Sequence, residues 1–572
     1  MKWMLEYLPP LKGRIALGLT VKMLGTVSEL FIPFLLTHIL ENVIETLDIS
    51  KVAFYGVIMA VCALLACVGN VVANRMASRV TMIFSTKMRE NLFYKTLMLS
   101  ARETDRFTVP SLESRITSDT YNVQNFVGMM QRMGVRAPIL LLGGIAITLI
   151  MDPALALVMI ATLPLIFIVV YSISRKGVPL YTDVQRSVDG MVRVVREDAQ
   201  GIRVIKALSK NDYENRRYDK VNKELCAKET RAGTIMGVVN PVMTMLMNLG
   251  IAGVVAAAAL LVARGTSSAT TVIAFMQYFT LVSMAMMSLS RMFVMYTKCA
   301  ASAKRITEVL DARDELAVVP DENPVQDGAH ISFESVSFSY FGKKNNVENI
   351  NFSLEKGSHL GIIGSTGSGK STIVKLLLRF YDADSGTVRI NGRDIRSYER
   401  QELTEMFGVA LQNDFLYADT IMENIKFGRD ITDEAVYRAA GIAQAHEFIT
   451  AMEEGYERHL SSKGTNVSGG QKQRILIARA IASRPEILIL DDSSSALDYK
   501  TDAQLRQALK ESLTDSTVIT VAQRVSSVKD CDLIMVIDEG RITGMGKHEQ
   551  LLKDCPEYKQ ISDSQMGGAL ID

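Results

Sequence analysis

Eight consecutive residues have the composition and spacing of a phosphate-binding loop. They follow the apolar run Leu360–Ile363 and precede a stretch from Thr372 to Phe380 that is predicted to be helical. A glycine-rich turn between a strand and a helix leaves backbone N–H groups free at the helix N-terminus, where they can surround an anion. In this pattern the lysine contacts the β- and γ-phosphates and the next hydroxyl binds Mg²⁺, so the sequence predicts a nucleotide-binding site. The residues are Gly364, Ser365, Thr366, Gly367, Ser368, Gly369, Lys370 and Ser371.

Two adjacent carboxylates end a second predicted strand. Residues 487–490 are all apolar and lead directly into Asp491 and Asp492. At the carboxyl end of a strand beside a phosphate-binding loop, carboxylates serve the Mg²⁺ ion and orient the attacking water. Asp491 is therefore predicted to serve the metal, and Asp492 is predicted to face the water.

A second helix start with anion-binding character lies just upstream. Ser468, Gly469 and Gly470 open a helix that is predicted to run to Ser483. A hydroxyl and free N–H groups at a helix N-terminus again suit a phosphate. Because a globular domain rarely carries two such sites, the simplest hypothesis is that this one contacts a nucleotide held by another subunit.

The composition indicates a membrane half and a soluble half. The chain has 572 residues, of which 48% are hydrophobic, and this excess is concentrated in the first 300 residues. A chain of this length is expected to hold more than one core. The net charge of +1 gives no global indication of a nucleic-acid partner.

The cysteines and the N-terminus give two further expectations. The six cysteines show no metal-type spacing and are expected to be reduced thiols facing a cytosol. The start of the chain lacks the design of a cleavable signal peptide, so the first hydrophobic segment is expected to stay as a membrane anchor. The cysteines are Cys62, Cys67, Cys226, Cys299, Cys531 and Cys555.

Six segments are apolar enough to be candidate membrane-spanning helices, since a span needs about 20 such residues. They lie near residues 16–40, 53–74, 134–151, 153–173, 236–263 and 272–295. The short link after the first segment is acidic, whereas Arg75, Arg132 and Arg175 are among the basic residues that flank the opposite ends. The positive-inside rule then places both termini in the cytoplasm, with Arg264 as the one dissenting charge.

Two stretches of about 60 polar residues separate segments two and three, and segments four and five. Their similar lengths and lack of strand patterns favour long helices that extend into the cytosol and return, with turns near 107–117 and 206–216. Pro110 is expected to break the first of these. The alternative is a pair of independent soluble inserts.

Lys22 and Glu29 lie seven residues apart on one face of the first predicted span. Ionisable groups inside a membrane are costly and face a partner or a water-filled cavity. Two interpretations stay open: a role in cavity lining or gating, or snorkelling of Lys22 with pairing of Glu29 to a neighbouring helix.

With these residues identified, the chain resembles a half-transporter of the ABC exporter family over essentially all 572 residues. The resemblance implies an N-terminal six-helix transmembrane domain with long cytoplasmic extensions over 1–310, a linker over 311–328, and an α/β P-loop ATPase domain of ABC type over 329–572. It also implies that Tyr340 stacks on adenine and that Gln412 serves the metal and the hydrolytic water. The signature residues Ser468, Gly469, Gly470 and Gln471 and the D-loop residue Asp498 are implied to serve a partner's ATP in trans.

Two departures from the family pattern fall on the same face of the nucleotide. The family has a glutamate as general base where this chain has Asp492, which is one methylene shorter. The family has a switch histidine where this chain has Gln523, and glutamine cannot carry a positive charge. Together they predict a degenerate site that binds ATP with Mg²⁺ and hydrolyses it poorly.

A degenerate site implies a partner with a competent one. The sequence therefore predicts the degenerate-site subunit of a bacterial heterodimeric multidrug exporter, in the plasma membrane, moving hydrophobic, amphipathic or lipid-like compounds. Membrane lipids are its surroundings, and no nucleic-acid partner is predicted. The alternatives are a homodimeric lipid flippase or drug pump, and a nucleotide-gated regulatory or channel-like subunit with little turnover.

Overall fold

The structure is a computed structural model that describes residues 7, 9–43, 48–264, 268–313, 316–321, 324–325, 329–340, 342, 344–412 and 414–566. The chain forms two compact units. The first comprises Met1–Leu97 and Phe107–Ala312, and the second comprises Met98–Arg106 and Arg313–Asp572. The domain boundaries predicted above, including a linker over 311–328, stay a prediction.

Helices account for the chain up to the first strand. Among the described residues ten α-helices precede that strand: α1 (Lys12–His38), α2 (Ile49–Leu97), α3 (Ala101–Phe107), α4 (Val109–Ser114), α5 (Thr120–Met133), α6 (Arg136–Met151), α7 (Pro153–Ala207), α8 (Asn211–Gly237), α9 (Val239–Ala263) and α10 (Ala269–Leu310). Short π-helical turns at Ile39–Val43 and Arg115–Asp119 extend α1 and join α4 to α5.

The polar stretches are continuations of long helices. Helix α2 has 49 residues and α7 has 55, which at 1.5 Å per residue gives lengths of about 74 and 82 Å against a hydrocarbon core of about 30 Å. The helical extensions are thus confirmed, and the alternative of independent soluble inserts is wrong. The second predicted turn is confirmed at 208–210, between α7 and α8.

The first turn differs from its prediction. Helix α2 already ends at Leu97, about ten residues earlier than expected from the sequence. Pro110 does not break a helix but lies in the first turn of α4. Proline is tolerated there because the N–H group that it lacks would have no partner inside the helix.

The number of membrane spans is the weakest part of the membrane prediction. In the described part of the chain five helices are long and apolar enough to cross a membrane: Pro9–Val43, Ile49–Leu97, Val109–Met151, Asn211–Ala263 and Thr270–Leu310. The predicted span near 153–173 coincides with a shorter apolar stretch, Pro153–Val169. Six spans are therefore not confirmed, although the predicted tight turn before that stretch is present. There Asp152 caps α7 by accepting hydrogen bonds from the N–H groups of Ala154 and Leu155, at 2.9 and 3.2 Å.

The two ionisable residues of α1 each have a partner. Lys22 is 3% exposed and its Nζ donates to Oδ1 of Asn74 on α2 at 3.1 Å. Glu29 forms an ion pair with Arg136 at the start of α6, with Oε1 and Nη2 2.8 Å apart. Of the interpretation that joined snorkelling of Lys22 with pairing of Glu29 to a neighbouring helix, the structure shows the pairing. It does not show the snorkelling, because Lys22 is buried against α2. Arg136, expected only to flank a span, is the partner of Glu29.

The second unit has two sheets. The strands are β1 (Ile331–Phe338), β2 (Val347–Leu354), β3 (His359–Gly364), β4 (Ser385–Ile390), β5 (Arg393–Asp394), β6 (Phe407–Ala410), β7 (Ile487–Asp491), β8 (Thr517–Val521), β9 (Leu533–Asp538) and β10 (Arg541–Gly546). An antiparallel sheet has the order β2-β1-β4-β5. The larger sheet has the order β10-β9-β3-β8-β7-β6 and is parallel from β9 to β6.

The helices of the second unit cover the larger sheet and form a separate helical cluster. After β3 they are α11 (Lys370–Leu377), α12 (Arg400–Glu405), α13 (Ile421–Lys426), α14 (Asp433–Ile442), α15 (His446–Thr450), α16 (Gly469–Ile481), α17 (Tyr499–Ser512), α18 (His548–Asp554) and α19 (Pro556–Met566). Strand β7 is buried along its whole length, as its unbroken apolar run predicts. Its carboxyl end lies beside that of β8, and β8 also pairs with β3, so the segments that follow these strands meet at one edge.

Candidate functional site

The phosphate-binding loop is held between β3 and α11 by close backbone packing. A Cβ on Gly364 would lie 2.0 Å from the carbonyl oxygen of Ile537 on β9, so only glycine fits there. Gly369 has φ of +108° immediately before the first residue of α11, a conformation that side chains disfavour. The predicted strand, turn and helix are therefore present, with the helix beginning two residues earlier than expected.

The lysine of the loop is bonded to the loop itself. Lys370 is 9% exposed, and its Nζ donates to the carbonyl oxygens of Gly364 and Ser365 at 2.8 and 2.7 Å. Burial lowers the pKa of this amine, while the carboxylates of Asp491 and Asp492 oppose the shift. The ammonium is thus fixed at the base of the loop, where phosphate oxygens would meet it.

Asp491 lies within reach of the loop hydroxyl. Ser371 Oγ donates to Asp491 Oδ1 at 3.3 Å, and Asp491 is 5% exposed. Burial raises the pKa of Asp491, the hydrogen bond from Ser371 lowers it, and the neighbouring carboxylate of Asp492 raises it. Two adjacent carboxyl groups in a partly dry site favour a cation nearby.

Asp492 is at the centre of a hydrogen-bonded trio. Its backbone has φ of +50°, which is uncommon for a residue other than glycine. Its Oδ2 accepts a hydrogen bond from Gln523 Nε2 at 3.0 Å and another from Gln412 Nε2 at 3.2 Å. The structure thus brings Gln412 and Gln523 together at one oxygen of Asp492.

Tyr340 lies against other aromatic rings beside α11. Its ring is perpendicular to that of Tyr381, with the centroids 5.1 Å apart, and Lys375 Nζ lies 5.3 Å from the Tyr340 centroid. The Tyr381 hydroxyl in turn donates to the carboxylate of Asp105, in the segment of residues 98–106 that belongs to this unit. This contact joins residues 276 positions apart and was not predicted from the sequence.

The signature residues form a well-ordered helix start. Ser468 Oγ accepts from the N–H of Gln471 at 3.2 Å, and Gln471 Oε1 accepts from the N–H of Ser468 at 3.0 Å, which is a capping box. A residue that was not singled out, Gln473, joins this helix to the carboxylate segment. Its amide donates to the carbonyl oxygen of Asp492 at 3.1 Å and accepts from the N–H of Ala496 at 3.2 Å. The only sign in the sequence that Gln473 belongs to the site was its position just after the signature residues.

A cavity of about 240 Å³ collects most of the predicted nucleotide-binding residues. The predicted residues that line it are Thr366, Gly367, Gly369, Lys370, Ser371, Gln412, Asp491, Asp492 and Gln523. Of the described residues that line this cavity, none belongs to the signature or to the D-loop. Asp498 instead caps α17 by accepting from the N–H of Thr501 at 2.9 Å. The signature and Asp498 therefore lie outside the cavity that the phosphate-binding loop lines.

Two family models match the chain. Residues 15–286 match the model described as the ABC transporter transmembrane region, and residues 347–495 match the model described as ABC transporter. An uncharacterized ABC transporter ATP-binding protein of Mycobacterium tuberculosis is 30% identical over 99% of this chain and 98% of that protein. The chain belongs to the ABC transporter family. It is a half-transporter, with one membrane region and one ATPase domain.

Other relatives agree with this assignment. An ABC transporter ATP-binding protein of Bacillus subtilis is 31% identical over 98% of both chains. A protein of Mycobacterium bovis named as a fatty acid ABC transporter ATP-binding/permease protein is 33% identical over 79% of this chain and 72% of its own length. Among solved structures, a bacterial Atm1-family ABC exporter with ATP bound has a TM-score of 0.83 at 24% identity, covering 97% of this chain and 98% of that one. This ABC half-transporter therefore has the exporter fold and an ATP-binding domain.

Proposed function

We propose that this half-transporter is one subunit of a heterodimeric ATP-driven exporter and that its own nucleotide site binds ATP but hydrolyses it poorly. The observation that carries the proposal is the contact of Asp492 Oδ2 with the side-chain amides of both Gln523 and Gln412. The two amide donors occupy the acceptor sites of Oδ2 and hold the carboxylate in one orientation, so Oδ1 is the oxygen that would have to reach the attacking water.

Three features of the trio disfavour hydrolysis. The aspartate side chain is one methylene shorter than glutamate, and a general base must lie within hydrogen-bond reach of the proton that it removes. The amide of Gln523 is neutral, so it offers no positive charge to the γ-phosphate as the transition state develops. The amide contacts further restrict Asp492. Each of the three leaves ATP binding by the loop unaffected.

The residues of the loop fit an ATP–Mg²⁺ complex. Lys370 would contact the β- and γ-phosphates, the ring of Tyr340 would stack on adenine, and Ser371, Asp491 and Gln412 would hold the cation. Oxygen donors of this kind are those that Mg²⁺ prefers. Among the described residues no three His, Cys, Asp or Glu side chains are grouped to hold a metal ion alone, so phosphate oxygens would complete the shell. The cation would neutralise charge on the phosphates.

The second nucleotide would be held by the partner. The signature residues and Asp498 do not line this chain's own cavity, which supports their use in trans against ATP bound to the other subunit. A homodimer would combine two weakened sites, whereas a heterodimer can pair this chain's signature with a partner that retains a glutamate and a histidine. We therefore favour the heterodimer over a homodimeric flippase or pump and over a regulatory subunit.

The proposed substrates are hydrophobic or amphipathic compounds. The relative that is named as a fatty acid transporter supports lipid-like compounds among them. We place both termini in the cytoplasm of a bacterium and the spans in its plasma membrane, on the basis of the charge distribution. Fatty acids and cationic amphiphiles should be compared as stimulators of ATPase activity.

The test of the proposal begins with the neighbouring reading frame, which should encode a second half-transporter with an intact glutamate and histidine. The chain is then purified alone and together with that second half-transporter. Alone, the chain should bind ATP and release little phosphate. Together, the two chains should copurify and hydrolyse ATP with stimulation by an amphipathic substrate. If the chain alone forms homodimers that hydrolyse ATP as fast as the mixed preparation, the heterodimer proposal is wrong.

A further inference from the structure

One side chain of the last described helix contacts the segment that carries Gln523. Gln565 on α19 donates from Nε2 to the carbonyl oxygen of Gln523 at 2.8 Å. Its Oε1 accepts from the N–H of Val525, also at 2.8 Å. We call residues 523–527 the switch loop. Gln565 therefore contacts the backbone of the residue before Arg524 and of the residue after it.

The two backbone groups need such a partner. Val525 is the first residue of a short 3₁₀ turn, Val525–Ser527, so its N–H has no acceptor inside that turn. A side-chain amide carries one donor and one acceptor, which match the carbonyl of Gln523 and the N–H of Val525. Each hydrogen bond is at the ordinary distance for an N–H donor.

The front of the switch loop borders a cavity of about 820 Å³, which is lined by Asp492, Gln523 and Gln565 among others. Behind the loop, Val525 is 4% exposed and belongs to the apolar cluster that contains Leu551. On the other side of Gln523, the N–H of Ala522 donates to the carbonyl oxygen of Ile362 at 3.0 Å. Between these two anchors, Gln565 supplies the contact to the carbonyl oxygen of Gln523 itself.

We propose that Gln565 is a positioning residue for the nucleotide site: it fixes the backbone of Gln523 so that the side-chain amide points at Asp492 and at the γ-phosphate of bound ATP. This inference rests on the proposed role of Gln523 beside the nucleotide. It assigns the C-terminal helix α19 a part in sensing the γ-phosphate. The position of this helix, 42 residues after Gln523, gave no sign of it in the sequence.

The first test compares nucleotides with and without a γ-phosphate. In the purified transporter, Gln565→Ala should weaken binding of a non-hydrolysable ATP analogue to this chain about three- to tenfold, the effect of about one net hydrogen bond. Binding of ADP should not change, because ADP has no γ-phosphate for Gln523 to contact. Gln565→Glu keeps the acceptor for Val525 but loses the donor, and should fall between Gln565→Ala and the parent.

The matched control is Gln560→Ala, since Gln560 is an exposed glutamine on the same helix. It should leave both affinities at the parent value. Equal weakening of ADP and of the ATP analogue by Gln565→Ala would show a general structural role and overturn the proposal. So would an effect of Gln560→Ala as large as that of Gln565→Ala.

A second test asks whether Gln565 acts through Gln523. In a Gln523→Ala background the change Gln565→Ala should add no further loss of affinity for the ATP analogue, because the group that it positions is gone. Additive losses would contradict the proposal. Hydrogen exchange of residues 521–528 should become faster in Gln565→Ala and stay at the parent rate in Gln560→Ala.

These measurements use binding and not turnover, so they separate two kinds of failure. If this chain proves to hydrolyse ATP at full rate, the degenerate-site proposal fails while the difference between ADP and the ATP analogue can still be observed. If Gln565→Ala affects ADP and the ATP analogue alike, the positioning role of Gln565 is wrong, even if this chain's site is confirmed to hydrolyse ATP slowly.

Discussion

The carboxylate of Asp492 shares one oxygen between two glutamine side chains, Gln412 and Gln523. A general base contributes about 10²–10⁴-fold to the rate of a proton-transfer step when it is correctly placed. On the proposed function, a shorter base that is held by neutral amides would reach water poorly while the loop that binds phosphate keeps its geometry. The proposal therefore expects ATP binding and ATP hydrolysis to respond to different residues.

Lys370→Ala tests nucleotide binding at this chain's own loop. The substitution removes the charge that would meet the β- and γ-phosphates and also the bonds from Nζ to the loop carbonyls. Since a hydrogen bond to a charged group contributes about 1.5–3 kcal/mol, labelling of this chain by a photoreactive ATP analogue should require about 10- to 100-fold more nucleotide.

The control for that change is Lys356→Ala, which removes an exposed lysine of the same unit. Its labelling curve should overlay that of the parent. Unaltered labelling of the Lys370→Ala chain would contradict the assignment of the loop. Transport should fall less than in a homodimeric pump, because a degenerate site contributes mainly binding.

At the scale of elements, the local sequence pattern predicted strands and helix starts, but it did not predict contacts between residues far apart in the chain. The unbroken apolar run 487–490 predicted the buried strand β7, and Ser-Gly-Gly predicted the start of α16. Hydrophobic periodicity carries no information on which side chain meets a backbone group far along the chain. The bonds from Tyr381 to Asp105 and from Gln565 to the switch loop were missed for that reason.

Ser468→Arg tests the helix start that is proposed to serve the partner. A bulky cation there should block closure against the partner's nucleotide and abolish most ATPase activity of the heterodimer, although this chain's own loop is untouched. Loss of the cap alone costs only about 1 kcal/mol. Measured phosphate release close to that of the parent would reject the arrangement in trans.

Thr432→Arg is the matched control for the lost cap. Thr432 is an exposed N-cap residue whose hydroxyl accepts from the N–H of Ala435 at the start of α14. The Thr432→Arg variant should lose about as much helix stability as the Ser468→Arg variant and retain its ATPase activity. Equal inactivation by both substitutions would point to unfolding of the helical cluster.

A double-mutant cycle tests the ion pair between α1 and α6. Glu29→Gln leaves the Arg136 guanidinium without its partner in the membrane unit, and Arg136→Gln leaves the carboxylate alone. Each single change should lower the midpoint of thermal unfolding by several degrees, and the double change should recover part of the loss, because no unpaired charge remains. Stable protein from Glu29→Gln with altered substrate stimulation would instead favour the cavity-lining interpretation.

At the scale of the whole molecule, one chain holds one complete phosphate-binding loop and one signature that lies outside its own cavity. The sequence was sufficient for the family, the two-part architecture and most of the residues around that cavity. It was insufficient for the number of membrane spans, because apolar length alone does not fix where a long helix enters the bilayer. The identity of the partner and of the substrate depends on other molecules, which the sequence of this chain does not describe.

The most direct test of the central claim is phosphate release from this chain's own site. The partner should be inactivated at its own catalytic base, and phosphate release should be measured with the unaltered chain and with Asp492→Glu combined with Gln523→His. We expect almost no release from the unaltered chain, and measurable release after the double substitution, because a longer base and a chargeable donor are restored. Release at the full heterodimer rate from the unaltered chain would contradict the degenerate site.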